Sequence, residues 1–264
     1  SIPWWQRLYG QAWLRRLFVL AALMIAWESY SRWLDNSLLF PSALQTLTAM
    51  VEGFRSGVLV DRIVTSLGVL LLGYGVGLAI AVILAVIAMS SKLGRDLLTT
   101  LTAMFNPLPA IALLPVAMLW IGLGTGSLVF VLAHSVLWAF SLSVLSGFDG
   151  VSPTLRMVGR NYGLRGLSYI WHILIPAAFP SLLTGLRLGW AFAWRTLIAA
   201  ELVFGVSAGS GGLGWYIYEN KNQLEIASVF AGLWSVILIG LIIEYLVFRV
   251  IEAKTVRRWG MSIS

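Results

Sequence analysis

The chain has 264 residues, 59% hydrophobic and only 11% charged, where a soluble domain carries about a quarter charged residues. With a mean hydropathy of +0.88 it could sit in water only by burying nearly everything, so a bilayer is the expected solvent. The absence of cysteine excludes disulfides and thiolate metal sites; with two well-separated histidines a metal centre would have to rest on carboxylates, and none is expected. The net charge of +7 reads as the cytoplasmic Lys/Arg excess of a membrane protein, not as a nucleic-acid surface.

In chain order, residues 1–16 combine Trp4, Trp5, Tyr9 and Trp13 with three arginines, which suits an elbow helix lying on the inner membrane surface. Spanning a bilayer takes about 20 apolar residues, and six stretches qualify: Leu17–Leu34, Ile63–Met89, Leu97–Ile121, Leu128–Phe148, Leu182–Phe204 and Ile226–Phe248. The first is interrupted by Glu28 and Arg32, spaced to pair on one helix. It does not read as a signal peptide, because no small-residue cleavage site follows Leu17–Trp27. Phe40-Pro41-Ser42 starts a short helix to about Phe54, with Ser42 as its cap. Gly73, Gly77, Ala81 and Ala85 recur every four residues, the pattern of a face that lets another helix approach closely.

The third stretch carries Pro107, Pro109 and Pro115. Prolines free backbone carbonyls that need protein or water partners at membrane depth, and such a broken helix more often lines a pathway than faces lipid. Gly122-Leu123-Gly124-Thr125-Gly126 then separates the third helix from the fourth. With both termini in the cytoplasm, twelve Lys and Arg fall inside and four outside, with Arg187 and Arg195 within a span; this sets the expected orientation.

The cytoplasmic loop 149–180 is more than a connector. Ser152-Pro153 is a helix start. Arg156 and Arg160 share a face of that helix, Gly163 ends it, and a second short helix offers Leu167, Tyr169, Ile170 and Trp171 before Pro176. Two helices with cations on one face and aromatics on another are built to dock on headgroups or in a protein groove. Pro176 and Pro180 are expected to set the entry angle of the fifth span.

Ionisable groups within spans are costly and mark sites or buried pairs. The candidates here are His134, Arg195 and Glu201. The last two are six residues apart, about 240° around one helix, and need partners elsewhere. Arg195 is a candidate to guide an anion; a fixed ion pair holding helices together is the competing reading. Arg187 is expected to snorkel and Glu244 to pair with Arg249 or another helix. The run "GVSAGSGGLG" at 205–214 has glycines but no Lys-Ser or Lys-Thr, and no phosphate-binding loop of the G-x-x-x-x-G-K-[ST] type occurs. Any ATP hydrolysis is therefore expected on another polypeptide. With no internal repeat or linker, residues 17–264 are expected to form a single all-α membrane domain.

The segment Gly163, nine residues, then Ile173-Leu174-Ile175-Pro176 resembles the EAA loop of ABC importer permeases, although Met157-Val158-Gly159 stands where E-A-A is usual. "LFPS", "PLPAIALLPVAMLWIGLG", "LIPAAFPSLLTGLRLGWAFAW", "AAELVFG" and "GLGWYIY" are similar, in order and spacing, to the nitrate, sulfonate, taurine and bicarbonate branch. The resemblance implies a polytopic inner-membrane permease of about six spans, like type I importers. It also implies a second permease copy in a homodimer, two cytoplasmic ATPase subunits carrying ATP and Mg, and an extracytoplasmic binding protein delivering a small, anionic solute. The loop at 152–173 would be the coupling helix, the chain itself would catalyse nothing, and Pro107, Pro109, His134, Arg195 and Glu201 would be the pathway candidates. The alternatives are a stand-alone secondary transporter or channel, and a membrane enzyme; Asp149 and His172 are too isolated to suit the last.

Overall fold

A computed structural model describes residues 11–204 and 211–258. Most of the expected elbow and the run 205–210 lie outside the described residues, which are helical with no strand among them. They form two compact units: residues up to Asp61 with Tyr216–Ser235, and Arg62–Trp215 with Val236 onward.

In the first unit, α1 (Ala12–Leu34) carries the first expected span and α2 (Ala43–Arg55) the short helix after it. Glu28 pairs with Arg32 at 2.9 Å, and its other oxygen accepts the Ala43 N–H at 3.0 Å. An acid thus meets the free N–H groups at the start of α2. Ser42 and Gln45 close a capping box there: the Ser42 hydroxyl accepts the Gln45 N–H, and the Gln45 amide accepts the Ser42 N–H. Trp27 stacks on Trp234 at 5.8 Å, and its indole N–H donates to the Pro41 carbonyl at 2.9 Å.

Most of α3 (Val58–Ser90) belongs to the second unit, followed by α4 (Lys92–Phe105), a 3₁₀ turn (Ala110–Leu113), α5 (Leu114–Ile121) and α6 (Thr125–Asp149). Next come α7 (Pro153–Asn161) and α8 (Gly166–Tyr169), which runs through a π-helical turn (Ile170–Leu174) into α9 (Ile175–Phe204). After α10 (Leu213–Asn222), α11 (Ile226–Ile242) continues through a second π-helical turn (Ile243–Phe248) into α12 (Arg249–Lys254).

Among the described residues, four continuous helices are long and apolar enough to cross a membrane: Val58–Ser90, Thr125–Asp149, Gly166–Val203 and Ile226–Lys254. The stretch read as a single third span is instead a bent pair, Lys92–Phe105 and Ala110–Ile121, meeting at 91°. Pro107 and Pro109 cannot donate N–H groups, so the α-helical ladder stops at Phe105 and restarts through the 3₁₀ turn. Helix α1, which carries Arg15, Arg16, Glu28 and Arg32, is not among the four long apolar helices.

The central helix is α6. Its most apolar window is 67% buried, against 22–28% for the other three. The small-residue face of α3 meets it as expected: a Cβ on Gly73 would fall 2.5 Å from the Leu132 Cβ, and one on Gly77 2.7 Å from the Ala133 carbonyl oxygen. Ala81 and Ala85 continue the seam into a core with Phe140, Val144 and Phe148. On the other side α9 packs against α6, with Gly185 against Ser143 and Phe140. The Tyr74 hydroxyl donates to the Leu186 carbonyl at 2.8 Å, tying α3 to α9. Gly77→Leu would force α3 away from α6, and a loss of roughly 1–3 kcal/mol is expected from overpacking. A lowered thermal-melting midpoint of the detergent-purified protein would show it; an unchanged midpoint would refute this seam.

Candidate functional site

The break at Pro107–Pro109 opens a cavity of about 290 Å³ in the second unit. Pro107, Pro109, His134 and Arg195 all line it, with Phe105, Asn106, Trp138, Phe192 and Thr196 among their neighbours. Four of the five pathway candidates are thus brought to one cleft, from the α4–α5 break, α6 and α9. The additional lining residues were legible only by register: Trp138 follows His134 by four, and Phe192 and Thr196 flank Arg195 by three and one.

Arg195 donates from Nε to the Ala191 carbonyl of its own helix at 3.1 Å, and its guanidinium lies 5.1 Å from the Phe192 ring centre. It is exposed and meets no acid among the described residues. His134 behaves differently. Both ring nitrogens are buried without a hydrogen-bond partner, and the ring stands edge-on to Phe105 and Trp138 at 6.1 and 6.0 Å. It contributes a wall, not a hydrogen-bonding group, to the cleft as it stands.

Glu201 is elsewhere. At 3% exposure it is enclosed at the far end of α9. The Ser66 hydroxyl donates toward both carboxylate oxygens at 2.9 Å, and the Gly214 N–H donates to Oε2 at 2.8 Å. Ser66 in turn accepts the Leu213 N–H at 2.8 Å, while Arg62 Nη1 donates to the Gly211 carbonyl at 3.2 Å. The backbone must come this close: a Cβ on Gly212 would lie inside the contact shells of Glu201 Oε1 and Ser66 Oγ, and one on Gly214 would fall 2.6 Å from the Ile198 carbonyl oxygen. The hydrogen-bond partners of Glu201 are therefore the Ser66 hydroxyl and the Gly214 N–H, not His134. Nothing in the local sequence around Ser66 signals this role, because its partners are over a hundred residues away.

At the other end of α9, α7 begins with the Ser152 cap, whose hydroxyl accepts the Leu155 N–H at 3.3 Å. It ends in a Schellman turn: Leu164 N–H bonds the Gly159 carbonyl at 3.0 Å, Gly163 N–H the Arg160 carbonyl at 2.9 Å, and Gly163 takes φ +71°. Gly159 is buried against α8, with no room for a Cβ beside Tyr169 and Ile173. The two arginines part company. Arg156 bends back to the Phe148 and Val151 carbonyls and caps the end of α6, leaving Arg160 exposed. Tyr162, Leu167 and Trp171 are 81%, 67% and 70% exposed, Tyr169 is half-buried, and Pro176 is exposed. Pro176 does not hinge α8 from α9. The π-helical turn before it lets the helix run on, with the Ile175 N–H bonding the Ile170 carbonyl. Arg187 does not snorkel either; it pairs with Glu244 at 3.3 Å and Glu252 at 3.0 Å.

Residues 77–256, which take in the cleft, the buried carboxylate and the exposed segment, match the family model described as binding-protein-dependent transport system inner membrane component. The chain belongs to this family. It is an ABC transporter permease, a membrane component of a transport system. It is 26% identical over 231 residues to the taurine transport system permease protein of Escherichia coli (85% of this chain, 82% of that one). It is 28% identical over 233 residues to the putative aliphatic sulfonates transport permease protein of the same organism (86% and 87%). The nitrate import permease protein of Synechocystis is 25% identical over 244 residues (90% and 87%).

Two variants test the site's construction. Glu201→Ala strands the Ser66 hydroxyl and the Gly214 N–H in a buried site, and each unsatisfied group costs about 1–3 kcal/mol; a markedly lowered melting midpoint of the permease is expected. His134→Leu removes an imidazole without hydrogen-bond partners, so the same measurement is expected to stay within about 1 kcal/mol of the parent or rise. A loss as large as that of Glu201→Ala would mean that the ring nitrogens have partners.

Proposed function

We propose that this permease forms, with a second copy, the pore of an ATP-driven importer for a small anionic solute. Two cytoplasmic ATPase subunits, holding ATP and Mg, sit beneath it, and an extracytoplasmic binding protein delivers the solute. The observation that carries the reading is one continuous helix, Gly166–Val203. One end presents exposed Leu167 and Trp171, and its far half presents Arg195 to a cleft that no acid lines among the described residues. At about 1.5 Å per residue the 24 residues from Trp171 to Arg195 span about 36 Å, more than the hydrocarbon thickness.

On this reading the segment Ser152–Ile173 is the coupling helix pair. Exposed Arg160, Tyr162, Leu167 and Trp171 face an ATPase groove, while Gly159 and Gly163 shape the turn that holds α7 on α8. Both termini lie in the cytoplasm. ATP-driven closure of the ATPase pair moves the segment, and the rigid helix carries that motion to the cleft wall. Arg195 supplies the positive charge that attracts the anion at membrane depth. The match of relatives named for taurine, sulfonates and nitrate supports an anionic cargo.

Purification in mild detergent from native membranes is expected to bring an ATPase and a binding protein with the permease. ATP-dependent uptake in proteoliposomes is expected to fall at least tenfold in Arg195→Gln. Leu167→Ala with Trp171→Ala is expected to lose uptake together with the ATPase. Normal anion uptake by Arg195→Gln would overturn the anion role; uptake without ATP or ATPase would make the chain a secondary transporter.

A further inference from the structure

We infer that the groove between α1 and α2 is a phospholipid site, in which the Glu28–Arg32 pair takes a zwitterionic ethanolamine headgroup and an apolar track takes an acyl chain. The groove belongs to the first unit and shares no lining residue with the cleft.

Its volume of about 570 Å³ is within the range of ligand sites, and its two ends differ in chemistry. Glu28, Ser29 and Arg32 line it near the end of α1, Met24 and Ile25 lie one to two turns back on the same helix, and α2 adds Leu44 and Leu47. From Arg32 back to Met24 the helix rises about 12 Å. A ligand lying along it meets charge at one end and hydrocarbon at the other, which is the pattern of an amphiphile.

At the charged end both signs are present and neither is used up. Arg32 gives Nε to Glu28 at 2.9 Å, keeps 74% of its side chain exposed, and has no second hydrogen-bond or ion-pair partner among the described residues. Its terminal nitrogens are free to donate to a phosphate as a fork. Glu28 accepts from Arg32 and from the Ala43 N–H at the start of α2, short of the roughly four acceptor positions of a carboxylate. An ammonium can therefore join it. The pair has no net charge, so it complements a phosphate and an ammonium carried on one headgroup and gives a net anion no advantage.

The surroundings of the apolar end identify what fills it. Leu17, Phe18, Val19 and Leu20 are consecutive, and each is more than half exposed; four successive residues go most of the way round a helix. A helix that is apolar on every side and uncovered has hydrocarbon as its solvent. That surface continues through exposed Leu23 and Ile25 into the groove. On α2, Leu44, Leu47, Val51 and Phe54 form an exposed stripe at helical spacing. An acyl chain beside Met24 and Leu47 is thus continuous with the lipid around α1.

The test is native mass spectrometry of the full-length permease in detergent, titrated with phosphatidylethanolamine or phosphatidylglycerol of matched chains. Phosphatidylethanolamine is expected to be retained at least about threefold more tightly, the order of a contact to an exposed charge. Arg32→Gln is expected to abolish that difference with little change in the melting midpoint. Leu47→Gln, which keeps a good helix former, is expected to weaken both lipids alike. Equal retention of the two lipids by the parent, or an undiminished preference in Arg32→Gln, would overturn the headgroup assignment. Because the chain has no cysteine, Leu47→Cys gives a single reporter in the groove. Lipid occupancy predicts no disulfide between copies under mild oxidation; a near-complete disulfide-linked dimer would show a second copy covering the groove and overturn the lipid site.

Discussion

Between helices in a bilayer there is little hydrophobic gain from association, because lipid tails are as apolar as the side chains they would replace. Close contact of backbones is what remains, and the second unit is arranged around one helix that permits it on two sides. Gly73 and Gly77 bring α3 onto Leu132, Ala133 and Val136, while Gly185 brings α9 onto Phe140 and Ser143. Because α6 is held this closely, its other residues are positioned as well. His134 and Trp138 stand at the cleft because the α3 seam and the α9 seam leave them only that side. The cleft is thus a by-product of packing on one helix and of the proline break opposite it.

Polar groups in such a unit divide by whether they have been satisfied. Glu201 is surrounded by a hydroxyl and a backbone N–H, and two glycines let the chain close on it. Arg187 is shared by Glu244 and Glu252. Arg156 is taken up by the carbonyls that end α6. Arg195 differs from these, since its contacts are its own helix's carbonyl and an aromatic face. A charge on a long apolar helix with no acid beside it among the described residues is the feature that most needs a functional account.

The continuous helix from Gly166 to Val203 joins the two ends of the molecule's chemistry. Proline would normally stop or kink it, but the π-helical turn over Ile170–Leu174 accommodates Pro176 by shifting to longer-range hydrogen bonds. A second π-helical turn at Ile243–Phe248 lies beside the Arg187 pairs, where Phe248 also meets the guanidinium at 5.9 Å. Such turns add a residue without breaking the helix.

What was legible in the sequence were the features that depend on near neighbours in the chain. The Ser42 capping box, the Glu28–Arg32 pair, the Ser152 start and the Gly163 stop all follow from residues within a turn or two of one another. Periodicity at four residues likewise identified the α3 packing face. The family segments made the permease readable, and three prolines showed that the third apolar stretch would break. Only the tertiary structure decided that the break is a right-angled bend, that α8 and α9 are one helix, and that Arg156 turns inward while Arg160 does not. It also decided that Glu201 belongs with Ser66, 135 residues away, and that Arg195 lines the same cleft as Phe105 and Trp138. The physical reason is the same in each case: these outcomes depend on which backbones approach closely enough to satisfy or exclude a polar group, and distance along the chain carries no record of that.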